Sequence, residues 1–192
     1  MAKIVLASKS PRRRELLDRM GLPHTVISVD ADETYPPSVT APEDIVQYIS
    51  NTKAFAAANM VAPEDIVITA DTMVFLDDRR LGKPRDEDDA FAMLSALSGR
   101  EHLVCTGVTV AQGNRTLTGA ESTRVRFAPL DEATIRAYIR TGEPMDKAGA
   151  YGIQHYGALL IEGIHGDYFN VVGLPVRRLS AMLRKFGVQI LA

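Results

Sequence analysis

Short apolar runs that alternate with stripes of helical period constrain this chain more than any other feature. Residues 4–7, Ile-Val-Leu-Ala, are too few for a helix and the right length for a buried strand. Ser10-Pro11 directly behind them opens a helix, Ser as N-cap and Pro in the first turn, that carries Leu16, Leu17 and Met20 inward until Gly21 stops it. Residues 24–29 predict the next strand. Thr40-Ala41-Pro42-Glu43 has capping-box spacing, and Ile45, Tyr48, Ile49 and Phe55 continue a helical stripe to about Asn59. Residues 66–70 predict a central strand, with 73–76 continuing extended to a turn at Asp77-Asp78.

The second half repeats the alternation. Residues 86–97 predict a helix with Ala90, Met93, Leu94 and Leu97 on one face, ended by Ser98-Gly99. Strands over 102–110 and 115–127 are joined by Gln112-Gly113-Asn114 as a hairpin turn. Asp131 caps a helix to Arg140, residues 143–156 are Gly-rich and loop-like, 158–164 predict a strand, and 175–186 the last amphipathic helix. The fold class is α/β. No linker-like composition divides residues 1–192, which predicts a single domain.

Bulk properties narrow the partners. A net charge of −2 and a pI near 6.1 give no overall basic field for a nucleic-acid backbone. The four apolar residues before Lys9 are too short for a signal-peptide core, and no apolar run approaches the roughly 18 residues of a membrane span, so a soluble cytoplasmic protein with no membrane partner is expected. Cys105 is the only cysteine and lies in an apolar run, where a small buried hydrophobe fits better than a nucleophile. His24, His102, His155 and His165 lack ligand spacing, which argues against a zinc hydrolase, and no Gly-x-x-x-x-Gly-Lys-Ser/Thr is present, which excludes a P-loop enzyme.

Charged residues at the ends of apolar runs are awkward in a core and useful in a cleft. Ser8-Lys9-Ser10-Pro11-Arg12-Arg13 sets two hydroxyls and two arginines beside a helix N-terminus, either a phosphate seat or a capped helix with a solvated basic turn. Asp71-Thr72 follows the strand at 66–70; strand carboxyl ends are where open α/β sheets bind ligands, although an Asx turn reads as well. An ionised Asp there can hold Mg²⁺, take a proton from water, or both. Asp30-Ala31-Asp32-Glu33 offers carboxylates to a hard cation or simply solvated loop acids, and Lys53 and Lys83 are either site cations or surface lysines. Gln154, behind Gly149 and Gly152, sets a donor and an acceptor side by side, matching the N3–H and O4 edge of uracil or thymine; a flexible loop is the other reading.

Taken in order, Ala7-Ser8-Lys9-Ser10-Pro11-Arg12-Arg13-Arg14-Glu15-Leu16-Leu17, Glu33, Lys53-Ala54, Ala70-Asp71-Thr72, Gly82-Lys83-Pro84, Asp146 to Gln154 and Asn170-Val171-Val172-Gly173-Leu174-Pro175 resemble the Maf family over almost the whole chain. The resemblance implies a nucleoside triphosphate pyrophosphatase on an elongated mixed β-sheet with flanking helices, two lobes around a deep nucleotide-binding cleft, often as a homodimer. The Ala-Asp-Thr and Ala-Gly-Ala-Tyr-Gly-Ile-Gln motifs look like the branch acting on dTTP and UTP, with modified pyrimidine nucleotides left open. The same likeness makes Asp71 the proton acceptor, Lys53 and Lys83 catalytic cations, and Ser8, Ser10 and Arg13 phosphate contacts. Arg12, Thr72 and Gln154 would set specificity, while Glu33 and Asp71 would hold a divalent Mg²⁺, Mn²⁺ or Co²⁺. His155 departs from the pattern, since a glycine commonly follows that glutamine. The alternative function is a nucleotide-binding regulator of septum formation with little catalysis.

Overall fold

The computed structural model describes residues 2–191. Strand β1 (Ile4–Ala7) leads into helix α1 (Pro11–Arg19), then β2 (Thr25–Ile27), α2 (Pro42–Ala58), β3 (Ile66–Leu76), β4 (Arg79–Leu81) and α3 (Glu87–Leu97). After these come β5 (Glu101–Gln112), β6 (Arg115–Phe127), α4 (Glu132–Ile139), β7 (Ile161–His165), α5 (Tyr168–Val172) and α6 (Val176–Arg184). The result is a mixed α/β fold. Seven strands form one sheet in the order β2-β1-β3-β5-β6-β7, with β4 on β3. β1 pairs parallel with both β2 and β3, whereas β3–β4 and β6–β7 are antiparallel.

The chain divides into two compact units, the first made of residues 1–71, 106–121 and 173–192, the second of 72–105 and 122–172. In the first, α2 buries Ile45, Val46, Ile49, Ser50, Ala54 and Ala57. It can lie close on β5 because Gly107 has no side chain; a Cβ there would overlap the Val46 carbonyl. Buried hydroxyls stitch the layers, Thr69 donating to the Ser50 carbonyl at 2.6 Å and Ser50 Oγ meeting Thr109 Oγ1 at 3.0 Å. In the second unit, Val74, Leu76, Leu94, Leu97, Phe127, Ile135 and Tyr151 share one core with Tyr138. His102 is buried there, its Nε2 2.7 Å from the Tyr151 hydroxyl, and its ring meets Phe127 and Tyr151 edge-on. Cys105 is buried, as expected.

Several expected elements differ. The extended run at 73–76 is present as expected, but Asp71 and Thr72 join it to 66–70 in one strand, and Val74 to Leu76 pair with β4, a strand too short and polar to read from sequence. Thr40 does not cap α2; Pro42 fixes the first helical residue and leaves Ala41 at the cap position. Ser10 does occupy the cap of α1, but its hydroxyl makes no capping bond. The strand expected at 158–164 begins only at Ile161, since residues 155–160 coil into a 3-10 run. Within the loop-like 143–156 stretch, residues 143–146 and 148–150 also take 3-10 turns. β2 is shorter than expected, and α5 was not expected.

Candidate active site

Asp71 sits on β3 just past the last pairing with β1, Leu6 with Ile68, and before the first pairing with β4, Val74 with Leu81. Asp71 therefore lies at the carboxyl end of the parallel pairing, although the strand itself continues. A carboxylate in such a place must be compensated. α2 supplies the partner: Lys53, one turn beyond the buried Ser50, aims its ammonium at Asp71 Oδ1 at 2.6 Å and at Glu33 Oε1 at 2.8 Å. The Lys53 and Asp71 side chains are only 17% and 10% exposed against 60% for Glu33, so this is a largely desolvated pair with an outward-reaching second acid.

Asp71 Oδ2 is buried and has no hydrogen-bond partner among the described residues. Buried polar atoms are rarely left so, and the orphan marks a place for a proton donor, a water or a cation. Arg13 closes the arrangement from α1. Its Nε donates to the Gly173 carbonyl at 2.7 Å, and its Nη1 donates to the Ala70 carbonyl at 2.8 Å and to Ser8 Oγ at 3.3 Å. Burial pushes the Arg13 pKa below its ordinary value, Asp71 opposes that shift, Arg12 adds to it and Glu33 opposes it; a guanidinium starts high enough to stay charged. Ser8 Oγ also accepts from the Ser10 amide at 3.2 Å.

The sequence-derived candidates Ser8, Ser10, Arg13, Glu33, Lys53 and Asp71 thus fall in one bonded neighbourhood of the first unit, with half-buried Arg12 beside Arg13 on α1. Thr72 is the next residue on β3 and is half-buried. Lys83 is exposed in the second unit, following Gly82, whose carbonyl accepts the Gly149 amide at 3.0 Å; Gln154 is half-buried in the same unit. Asp30 and Asp32 do not join the site: Asp30 is exposed on Lys9 at 2.7 Å, and Asp32 accepts the Thr34 amide. The sequence reading missed the Ala70 and Gly173 carbonyls that hold Arg13, and main-chain acceptors carry no residue-type signal.

The chemistry of the donors fits a divalent cation. Two carboxylates, one with an unused buried oxygen, are the donor type that a hard ion takes. Among the described residues no group of three or more His, Cys, Asp or Glu is placed to hold one by itself. No helix is long and apolar enough to cross a membrane among the described residues.

A family model described as Maf-like protein matches residues 3–186. The dTTP/UTP pyrophosphatase of Pelotomaculum thermopropionicum is 48% identical over 193 residues, covering 100% of both chains. The dTTP/UTP pyrophosphatase of Acetivibrio thermocellus is 48% identical over 199 residues, covering 100% of this chain and 98% of its own. That of Bacillus velezensis is 45% identical over 187 residues, covering 97% of this chain and 98% of its own.

Proposed function

The chain belongs to the Maf-like protein family, and from that premise we propose that it hydrolyses dTTP and UTP to the nucleoside monophosphate and pyrophosphate. The observation that carries the reading is the Lys53–Asp71 pair, in which one carboxylate oxygen is fixed by an ammonium and the other is buried with no hydrogen-bond partner among the described residues. A protein that only bound a polyanion would be weakened by an acid beside its cations, whereas water activation requires one, which disfavours the regulator.

In the proposed reaction, Asp71 Oδ2 orients a water and takes its proton as the water oxygen bonds to the α-phosphorus. The bond from that phosphorus to the α–β bridging oxygen breaks, and pyrophosphate leaves with the electron pair. Lys53 keeps the Asp71 carboxylate in one orientation and shares its charge with Glu33. Glu33 and Asp71 would hold a divalent cation, Mg²⁺, Mn²⁺ or Co²⁺, which when bound neutralises phosphate charge. A triphosphate carries about four negative charges, and Ser8, Ser10, Arg12, Arg13 and Lys83 receive them as phosphate contacts, with Arg13 acting through a guanidinium already anchored on two carbonyls. Arg12, Thr72 and Gln154 set the base preference, Gln154 by meeting the N3–H and O4 edge of uracil or thymine. Cytoplasmic action on free nucleotides, expected from the sequence, and a homodimeric state, carried by the family resemblance, complete the proposal.

The test is a panel of dTTP, UTP, CTP and GTP, with and without Mg²⁺ or Mn²⁺, on wild type and Asp71→Asn. Metal-dependent cleavage of dTTP and UTP that falls at least about hundredfold in the variant is expected. Tight binding with no turnover of any nucleotide would favour the regulator.

A further inference from the structure

Gln154 lies in a segment that the second unit fastens at both ends. At one end the Gly152 amide donates to the Tyr138 hydroxyl at 3.2 Å, and that hydroxyl donates to Glu143 Oε1 at 3.0 Å. At the other end the Gly157 amide donates to the same Glu143 Oε1 and the Tyr156 amide to its Oε2, both at 3.1 Å. One carboxylate therefore accepts three hydrogen bonds, one from the Tyr138 hydroxyl that anchors Gly152 and two from the amides that follow Gln154 and His155. The loop closes tightly on itself: a Cβ on Gly157 would overlap the Gly152 carbonyl, and one on Gly152 would meet Lys147 Cε at 2.7 Å. Lys147 is held in turn by the Glu143 carbonyl at 2.7 Å and by Asp146 Oδ1 at 2.6 Å. Between the two fastenings, His155 takes φ +54°, a left-handed conformation that a side-chain-bearing residue adopts reluctantly and that the surrounding bonds must enforce.

We propose that Glu143 is a positioning residue for base recognition, its carboxylate and the Tyr138 hydroxyl fixing the Gly152 to Gly157 turn so that Gln154 presents its amide in one place. The inference rests on Gln154 reading the base. An amide carries a donor and an acceptor that exchange places when it turns over, so it tells uracil from cytosine only where its surroundings hold it. Burial raises the Tyr138 phenol, the Gly152 amide opposes that shift, and Glu143 adds to it.

The experiment compares kcat/KM for UTP and CTP in wild type, Gln154→Ala, Glu143→Ala, Glu143→Gln and Tyr138→Phe, alongside amide hydrogen exchange of residues 152–157. Expected is a loss of the UTP-over-CTP preference by about tenfold in Glu143→Ala, a smaller loss in Glu143→Gln, which keeps one acceptor, and faster exchange at Gly152, Tyr156 and Gly157 with α4 unchanged. Where Glu143→Ala fails to fold, Tyr138→Phe, lacking a single hydroxyl, carries the test, and it too lowers the preference and speeds exchange at Gly152. A preference and exchange rates that stay at wild-type values in the Glu143 and Tyr138 variants, while Gln154→Ala abolishes the preference, overturn the clamp alone. A preference unmoved by Gln154→Ala overturns the base-reading assignment, and the clamp with it.

Discussion

Removing the Lys53 ammonium alters two things at once: it frees Asp71 Oδ1 and leaves a buried carboxylate uncompensated. Lys53→Met therefore loses about 2–4 kcal/mol of stability, seen as a lower denaturant midpoint, and at least about hundredfold in kcat. A melting profile equal to wild type would mean that the pair does not hold Asp71. At this scale the sequence was informative about identity and poor about environment. Asp71 and Glu33 were legible as candidates because charges at the ends of apolar runs need a reason, whereas Lys53 was a candidate cation that a surface lysine explained equally well. That one lysine would bridge both acids, leaving Oδ2 alone, depends on where α2 lies against β3, which no local pattern records. Arg13 was read as a phosphate contact; three of its hydrogen bonds go to a serine and two carbonyls, which anchor its guanidinium within the protein.

Elements carry the next level of the account. Gly107 is the point where β5 admits α2, and Gly107→Ala would force the strand from the Val46 carbonyl. We expect a loss of about 2–3 kcal/mol, or roughly 4–10 °C in melting temperature, with reduced turnover because Lys53 rides on the same helix. A variant as stable as wild type would show that the helix has room to move. In the second unit the folded protein keeps His102 neutral, burial lowering its pKa from 6.5 to about 4. Between those values the unfolded chain binds more protons than the folded one, so stability is fully present above pH 6.5 and falls as pH drops toward 4, by about 3 kcal/mol from this residue. His102→Gln, which cannot titrate, is expected to show a smaller drop in melting temperature between pH 7 and pH 4.5; an equal drop would place the acid sensitivity elsewhere. The α/β alternation, α3 and α4 were legible from their period, α4 also from its Asp131 cap, whereas the Asp86 cap of α3 emerged only in the structure. The 143–160 stretch was not, since its shape comes from long-range acceptors such as Glu143 and from a left-handed His155 rather than from propensity.

Across the whole molecule, β3, β5 and β6 each contribute residues to both compact units. The relatives match over essentially their full length. The central claim is that water attacks the α-phosphorus with Asp71 as proton acceptor. Its most direct measurement is hydrolysis of dTTP in ¹⁸O-labelled water with Mg²⁺, followed by mass analysis of both products. The account predicts one labelled oxygen in the thymidine monophosphate and none in the pyrophosphate, with product formation reduced at least about hundredfold in Asp71→Asn. Label in the pyrophosphate, release of inorganic phosphate and a diphosphate, or full turnover by Asp71→Asn would contradict it.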